Sequence, residues 1–313
     1  MTVDINGAAH YLLAHDNYMI LTHAHPDGDT LGSGFGLCRL LRDLGKKANV
    51  ICNDKISSKY DYIMLDNEDF EVETVVSVDV ADVVLLGKDV SREYGDRIRL
   101  CIDHHGTNRL KAELSLIDAN AAACAEIILD LAETLGAQIT PQIADCLFTG
   151  ITTDTGCFRY SSVTPKTHLT AAKLIERGAK ASLINEIMFE TKTVTYAALE
   201  KLALESMRFY FDGRCAMITV TQKMFEESGS NESECDGIAA LPRQVEGVLV
   251  GVTLREKEDG SFKVSVRTRS GVDASEICAR LGGGGHKNAS GCQLDCSLDE
   301  AKQKMLDAIG ESL

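Results

Sequence analysis

The chain has 313 residues, with 32 Lys and Arg against 47 Asp and Glu and a formal net charge of −15. That length suggests two domains, each large enough to bury a core without disulfide or metal staples, and the balance of 44% hydrophobic and 25% charged residues excludes a disordered chain. The acidic total argues against a non-specific nucleic-acid coat, whose affinity comes from Lys and Arg neutralising phosphates. A short polynucleotide, or a small anion held through a bound metal, remains compatible with it.

The opening MTVDINGAAHYLL has no Lys or Arg ahead of its short apolar run, so no signal peptide is expected. Asp79 and Asp82 interrupt VVSVDVADVVLLG, the best candidate for a membrane span. The 11 cysteines are odd in number and scattered, and Cys38, Cys101, Cys124 and Cys146 sit in apolar patterns as core residues do. Reduced thiols and a cytoplasmic location are therefore expected. Cys292 and Cys296 have no matching second pair, which disfavours a structural zinc site.

In chain order, YMILTHA (18–24) reads as a buried strand and TLGSGFGLCRLLRDLG (30–45) as the helix after it. KANVICN (47–53), ETVVSVD (73–79) and RIRLCID (97–103) are further apolar strands. Helices follow at 122–136, 141–154 and 165–178, the last opened by Pro165 and closed by Gly178. Continuously apolar strands alternating with helices predict an α/β domain over 1–187, built on a mainly parallel sheet with helices on both faces. The run 188–206 reads as a linker helix. Residues 207–313 then carry two hairpins, turning at Asp212-Gly213 and Asp259-Gly260, a glycine cluster and a last helix. They predict a smaller C-terminal α+β domain.

Four stretches place metal-ligand residue types at element ends. His23-Ala-His-Pro-Asp27-Gly-Asp29 follows the first strand, Asp79 ends the third, Asp103-His104-His105 ends the fourth, and Asp154 ends a helical run. Each alone has a bland reading, since an Asp at a strand end is usually a cap or turn residue. A His-His pair is rarer, with about 0.2 expected by chance at this composition. Together the four change the balance, because clustering so many acids without a cation is costly. A shared cation site removes that cost.

These stretches resemble the motifs of the DHH phosphoesterase superfamily, HxxPDxDxxGS, a strand-ending Asp, DHH and TDTGxFxY. The C-terminal RTRSGVDASEICARLGGGGHKNASG resembles the DHH-associated substrate-binding domain. The two-domain layout is most similar to the standalone NrnA-type branch, bifunctional oligoribonucleases and 3′-phosphoadenosine 5′-phosphate (PAP) phosphatases. The resemblance implies two Mn²⁺ ions, with Mg²⁺ or Co²⁺ as substitutes, and a water attacking phosphorus. His23 and Asp27 would hold one ion, Asp29, His104 and Asp154 the other, and Asp79 both. His105 would contact the phosphate and give a proton to the leaving group, with Asp103 behind it orienting an imidazole.

In the second domain, Arg267, Gly283, Gly284, Gly285 and His286 would grip the substrate, the glycines by letting backbone amides approach an anion. Arg269 and Lys287 are weaker candidates, and Ser33 reads as packing at a helix start. His25 replaces the family's usual Asn or Arg and reads as a neighbour of the site. His10, His15 and His168 read as surface or packing residues. The expected partners are short oligoribonucleotides, nucleoside bisphosphates or dinucleotides, without long duplexes or membranes, in a chain that can pair as a homodimer. A pApA or cyclic di-AMP phosphodiesterase is the neighbouring alternative, and an inactive nucleotide-binding protein the alternative of another class.

Overall fold

Strictly apolar tetrads and pentads form the central sheet of the first unit, because only strands covered on both faces tolerate so little polarity. The computed structural model describes residues 1–235, 237–269 and 271–313, and its contacts divide the chain into Met1–Thr191 and Lys192–Leu313. In the first unit the order is α1 (Ile5–Ala14), β1 (Tyr18–Leu21), α2 (Gly28–Asp43), β2 (Ala48–Ile51), β3 (Thr74–Val78) and α3 (Lys88–Tyr94). It continues through β4 (Ile98–Asp103), β5 (Leu114–Ile117), α4 (Cys124–Thr134), α5 (Pro141–Asp154), α6 (Pro165–Glu176) and α7 (Ala181–Asn185).

The five strands lie in the order β2-β1-β3-β4-β5 and every pairing is parallel. One face is covered by α1, α2, α4 and α5 through Leu12, Leu31, Leu40, Ile127 and Leu147. Leu86, Val90 and Tyr94 cover the other. Burying each such aliphatic side chain contributes about 1.5–3 kcal/mol. The strand order reverses direction between β1 and β3, and in open α/β sheets the crevice at the carboxyl ends beside such a reversal is where ligands bind. His23 follows β1 and Asp79 follows β3, so both flank that crevice.

Glycine spacing brings α2 and α5 into backbone contact. A Cβ on Gly32 would lie 2.3 Å from the Cys146 carbonyl oxygen and 2.8 Å from the Gly150 nitrogen, and one on Gly36 would meet Leu147 at 2.8 Å. The neighbour at Gly32 is backbone and cannot rotate away. Gly32→Ala is therefore expected to cost about 3 kcal/mol by overpacking, read as a lower denaturant midpoint; an unchanged midpoint would contradict the contact.

The second unit contains α8 (Val194–Glu205), β6 (Arg208–Tyr210), β7 (Cys215–Val220), α9 (Gln222–Ser228), β8 (Val250–Glu256) and β9 (Phe262–Thr268). After them come α10 (Ala274–Ala279), β10 (Gly284–His286), β11 (Ala289–Leu294) and α11 (Leu298–Gly310). Its sheet runs β10-β11-β9-β8-β7-β6, antiparallel except for the β7–β8 pair. The helix read as a linker packs here: Leu199 and Ala203 of α8 are buried with Ile218 and Val220 of β7. Val250, Val252, Leu254, Val264 and Val266 point to the opposite face, against Ile277, Met305 and Ile309. The alternate residues of β8 and β9 thus face away from that core. Among the described residues, no helix is long and apolar enough to cross a membrane.

Candidate metal centre and anion groove

Asp27 is the N-cap of α2, its Oδ1 accepting the amides of Asp29 at 3.0 Å and Thr30 at 3.1 Å. Asp29, in the buried first turn of that helix, is only 1% exposed. Its Oδ2 accepts the Cys124 amide at 2.6 Å, and its Oδ1 accepts the Ala125 amide at 3.0 Å and the Ser33 hydroxyl at 3.1 Å. Those amides belong to the first turn of α4, whose dipole favours a carboxylate. Ser33 packs at a helix start and also orients Asp29, a contact the motif alone did not reveal.

Asp79 leaves β3 with φ +57° and donates its amide to the Ile102 carbonyl at 2.9 Å. A left-handed non-glycine residue at a strand end is uncommon and costs backbone energy. Here it accompanies the side chain's placement among other acids. His23 Nε2 lies 3.5 Å from Asp27 Oδ1 and 3.7 Å from Asp79 Oδ2. His104 Nε2 lies 3.5 Å from Asp79 Oδ1, 3.5 Å from Asp154 Oδ2 and 3.8 Å from Asp29 Oδ2. Two ligating groups result, His23–Asp27–Asp79 and Asp29–His104–Asp154, while a third joins Asp79 to Asp103, His104 and His105. Asp79 is thus common to two of the three groups.

Electrostatics make this arrangement unfavourable on its own. Burial, then the charges of Asp29, Asp27 and Asp154, hold the Asp79 carboxyl well above the usual carboxylate range. Burial, then Asp29 and Asp27, push Asp154 up to about 8. Burial also raises Asp29, against the pull of His104. Asp27 falls below its ordinary value, since burial would raise it but His23 and the Thr30 and Asp29 amides outweigh that; Asp103 falls likewise, burial being outweighed by His105 and Asn108.

Two observations test whether a cation fits. Asp79 Oδ1 is buried without a hydrogen-bond partner. His104 Nδ1 sits 3.1 Å from the Ala121 carbonyl, which only accepts, so Nδ1 carries a proton and Nε2 is the ring nitrogen turned toward three carboxylates. Oxygen and imidazole donors crowded in this way suit divalent cations, and a bound cation would convert the mutual repulsion into ligation.

Beside this cluster, His105 Nδ1 lies 2.8 Å from Asp103 Oδ1. The Asp103 hydrogen bond raises the His105 pKa, with burial opposing it. Asp103 itself is fully buried, and its other oxygen accepts from Asn108 Nδ2 at 2.5 Å. Asn108 also donates to the Val80 carbonyl at 3.0 Å and receives the Leu110 amide, so its orientation is fixed. The sequence reading missed Asn108. The only signal available was that a buried Asp103 behind an imidazole requires a second donor.

His25 lies outside the cluster, 97% exposed and 3.0 Å from Asp54. His15 stacks on Tyr11 and His168 on Phe158.

In the second unit, Arg267, Gly284 and His286 line one cavity of about 430 Å³. Gly283 and Gly285 belong to the same turn and strand without lining it. Gly283 is pressed against β11, where a Cβ would meet the Gly291 carbonyl at 2.3 Å. Gly285, at φ +146°, would bring one within 2.7 Å of Ser290 Oγ. Arg269 is engaged elsewhere, its guanidinium donating to the Arg243 carbonyl.

An all-parallel sheet with acids and imidazoles at its carboxyl ends, followed by a mixed-sheet unit, agrees with the comparisons with known proteins. Residues 17–151 match the DHH family N-terminal domain and residues 216–313 the DHHA1 domain. The chain belongs to the DHH family of phosphoesterases. It is 36% identical to the bifunctional oligoribonuclease and PAP phosphatase NrnA of Thermus thermophilus, covering 94% of this chain and 89% of that one. It is 26% identical to the NrnA of Bacillus subtilis over 94% of each chain. Among solved structures, an exopolyphosphatase-related protein from Bacteroides fragilis superposes with a TM-score of 0.88 at 23% identity, covering 98% of this chain and 95% of its own. This last likeness concerns the fold alone.

Proposed function

We propose that this chain hydrolyses short oligoribonucleotides to mononucleotides and PAP to AMP at a site holding two divalent cations, with Mn²⁺ the preferred ion. The observation that carries the proposal is the convergence of two carboxylate–imidazole groups on Asp79 at the carboxyl ends of a parallel sheet. The substrate classes are those in the names of the T. thermophilus and B. subtilis relatives. His23 and Asp27 would hold one cation and Asp29, His104 and Asp154 the other, with the Asp79 carboxylate available to both groups. Bound there, cations would supply Lewis-acid stabilisation of phosphoryl charge and a more acidic water.

The chain's own residues do the rest. The Cys124 and Ala125 amides and the Ser33 hydroxyl fix both oxygens of Asp29, so that ligand is preorganised. Asp103 holds His105 by Nδ1 and favours the protonated ring, whose Nε2 proton is then directed to a phosphoryl oxygen or the leaving group. Asp103 is a positioning residue, with Asn108 behind it. Arg267 and His286, which line the cavity of the second unit, offer cationic and imidazole donors to a substrate phosphate. The buried thiols support placing this reaction in a reducing cytoplasm.

Side-by-side rates with Mn²⁺ on a pentaribonucleotide, PAP, pApA, cyclic di-AMP and pyrophosphate test the proposal, with Asp103→Ala/His104→Ala as the blank. Turnover of the pentanucleotide and PAP, lost in the blank, is the expected result. Activity confined to pApA or cyclic di-AMP would replace this substrate range.

Asn108→Ala is expected to lower kcat about 10- to 100-fold, as loss of a group orienting an active-site side chain does. KM for PAP should stay close to wild type, because Asn108 reaches the substrate only through Asp103 and His105. A change in KM with kcat intact would contradict that role.

A further inference from the structure

The cavity of the second unit extends beyond the residues its glycine motif supplies. Strand registers arrange its floor as three rungs on the face turned away from the core. Gly251, Arg267, Ala289 and His286 are partners across four strands and form the first. Thr253, Ser265, Gly291 and Gly284 form the second in the same way, and Arg255 pairs with Lys263 in the third. The cavity lining includes residues from all three rungs. A cationic rung thus stands at each end of a small, neutral middle rung.

Four residue steps along β9 separate Lys263 from Arg267, a span of about 13 Å. That is longer than one step between consecutive phosphates of a nucleic acid strand. Ala239, partly exposed, also lines the cavity, whereas Ile238 is fully buried. Thr253 is 5% exposed, yet its hydroxyl has no partner among the described residues. Arg255 is anchored, with Nη2 3.3 Å from Glu232 Oε2 and Nη1 donating to the Glu232 carbonyl, while its Nε is likewise unpartnered. Lys263 is exposed and forms no ion pair among the described residues. In a chain of net charge −15, this is a local reversal of sign.

We propose that the Arg255–Lys263 rung, with the Thr253 hydroxyl, is a second phosphate site that binds an oligoribonucleotide one nucleotide or more beyond the phosphate held at Arg267 and His286. The intervening sugar and base lie over the glycine-lined middle rung. This rests on the substrate classes proposed above and adds how the site separates them. PAP has one phosphate besides the scissile one and can occupy only one cationic rung. A tri- or pentanucleotide can occupy both, so the second rung selects for chain length.

The test is Lys263→Gln, which removes an exposed charge without disturbing the β9 ladder, beside the near-isosteric Thr253→Val. kcat/KM for PAP and for di-, tri- and pentaribonucleotides should show a selective change. For Lys263→Gln the pentanucleotide value is expected to fall at least about tenfold more than the PAP value, and the salt dependence of its binding to weaken by about one phosphate contact. Thr253→Val should shift the same ratio in the same direction. Equal losses on every substrate, or no loss on the pentanucleotide, would overturn the proposal. Binding of a fluorescent pentanucleotide to the intact chain separates the two claims. Lys263-dependent binding without hydrolysis would retain the groove and refute the hydrolytic reading, whereas hydrolysis insensitive to Lys263 would do the reverse.

Discussion

Asp79→Asn is expected to lower kcat/KM at least about a thousandfold, some 4 kcal/mol of transition-state stabilisation, while making the metal-free protein more stable. Both effects have one cause. Asp79 is 3% exposed, its Oδ1 has no hydrogen-bond partner, and the charges of Asp29, Asp27 and Asp154 surround it. Removing that charge should stabilise the chelator-treated protein by about 1–2 kcal/mol, since an uncompensated buried charge is lost. Asn is the right probe because it keeps the side chain's volume and tolerates the left-handed backbone at φ +57°. Saturating Mn²⁺ at a hundred times its dissociation constant should stabilise the wild type by about 2.7 kcal/mol, and the variant by much less. Thermal denaturation with and without chelator measures all three quantities. A variant less stable than wild type without metal, yet stabilised equally by Mn²⁺, would show that Asp79 is a structural acid.

His105→Ala is expected to separate chemistry from metal binding. His105 belongs to the same cluster, but its Nδ1 is committed to Asp103 and its side chain is 39% exposed. In the proposed mechanism it meets substrate rather than a cation. kcat should fall about 10²- to 10⁴-fold, the range typical of a positioned general acid, while the Mn²⁺-induced thermal shift stays near the wild-type value. Loss of that shift together with activity would make His105 a ligand. A fall confined to KM would leave it a substrate clamp with no part in proton transfer.

The contrast between these variants also marks what the chain alone made legible. Strand ends carrying His23, Asp27, Asp29, Asp79, Asp103, His104 and His105 could be read because parallel strands are apolar runs and their termini are abrupt. The parallel sheet followed from the same runs, and its structure agrees. Asn108 could not be read: an Asn in a loop usually marks a turn, and only the fold shows that its amide completes the second oxygen of a buried Asp103. The Cys124 and Ala125 amides that hold Asp29 are backbone groups nearly a hundred residues away and leave no trace in side-chain identity.

The second unit was less legible for a related reason. Alternation in VGVTLRE and FKVSVRT announces one apolar and one polar face. Yet Arg255, Lys263 and Arg267 become a graded groove only when the register pairs Arg255 with Lys263 and Gly251 with Arg267. The helix near residue 200 illustrates the limit of amphipathic pattern. Leu199 and Ala203 identify a buried stripe, but the pattern does not say which unit buries it, and the structure assigns it to β7.

The central claim is that one dinuclear site at the carboxyl ends of the sheet serves both oligoribonucleotide and PAP. Mixed-substrate kinetics address it directly, with pentaribonucleotide hydrolysis followed in Mn²⁺ against rising PAP. One shared site requires competitive inhibition with an inhibition constant equal to the KM for PAP as a substrate, and both rates must vanish together in Asp79→Asn. Additive rates, or either activity surviving that substitution, would contradict it.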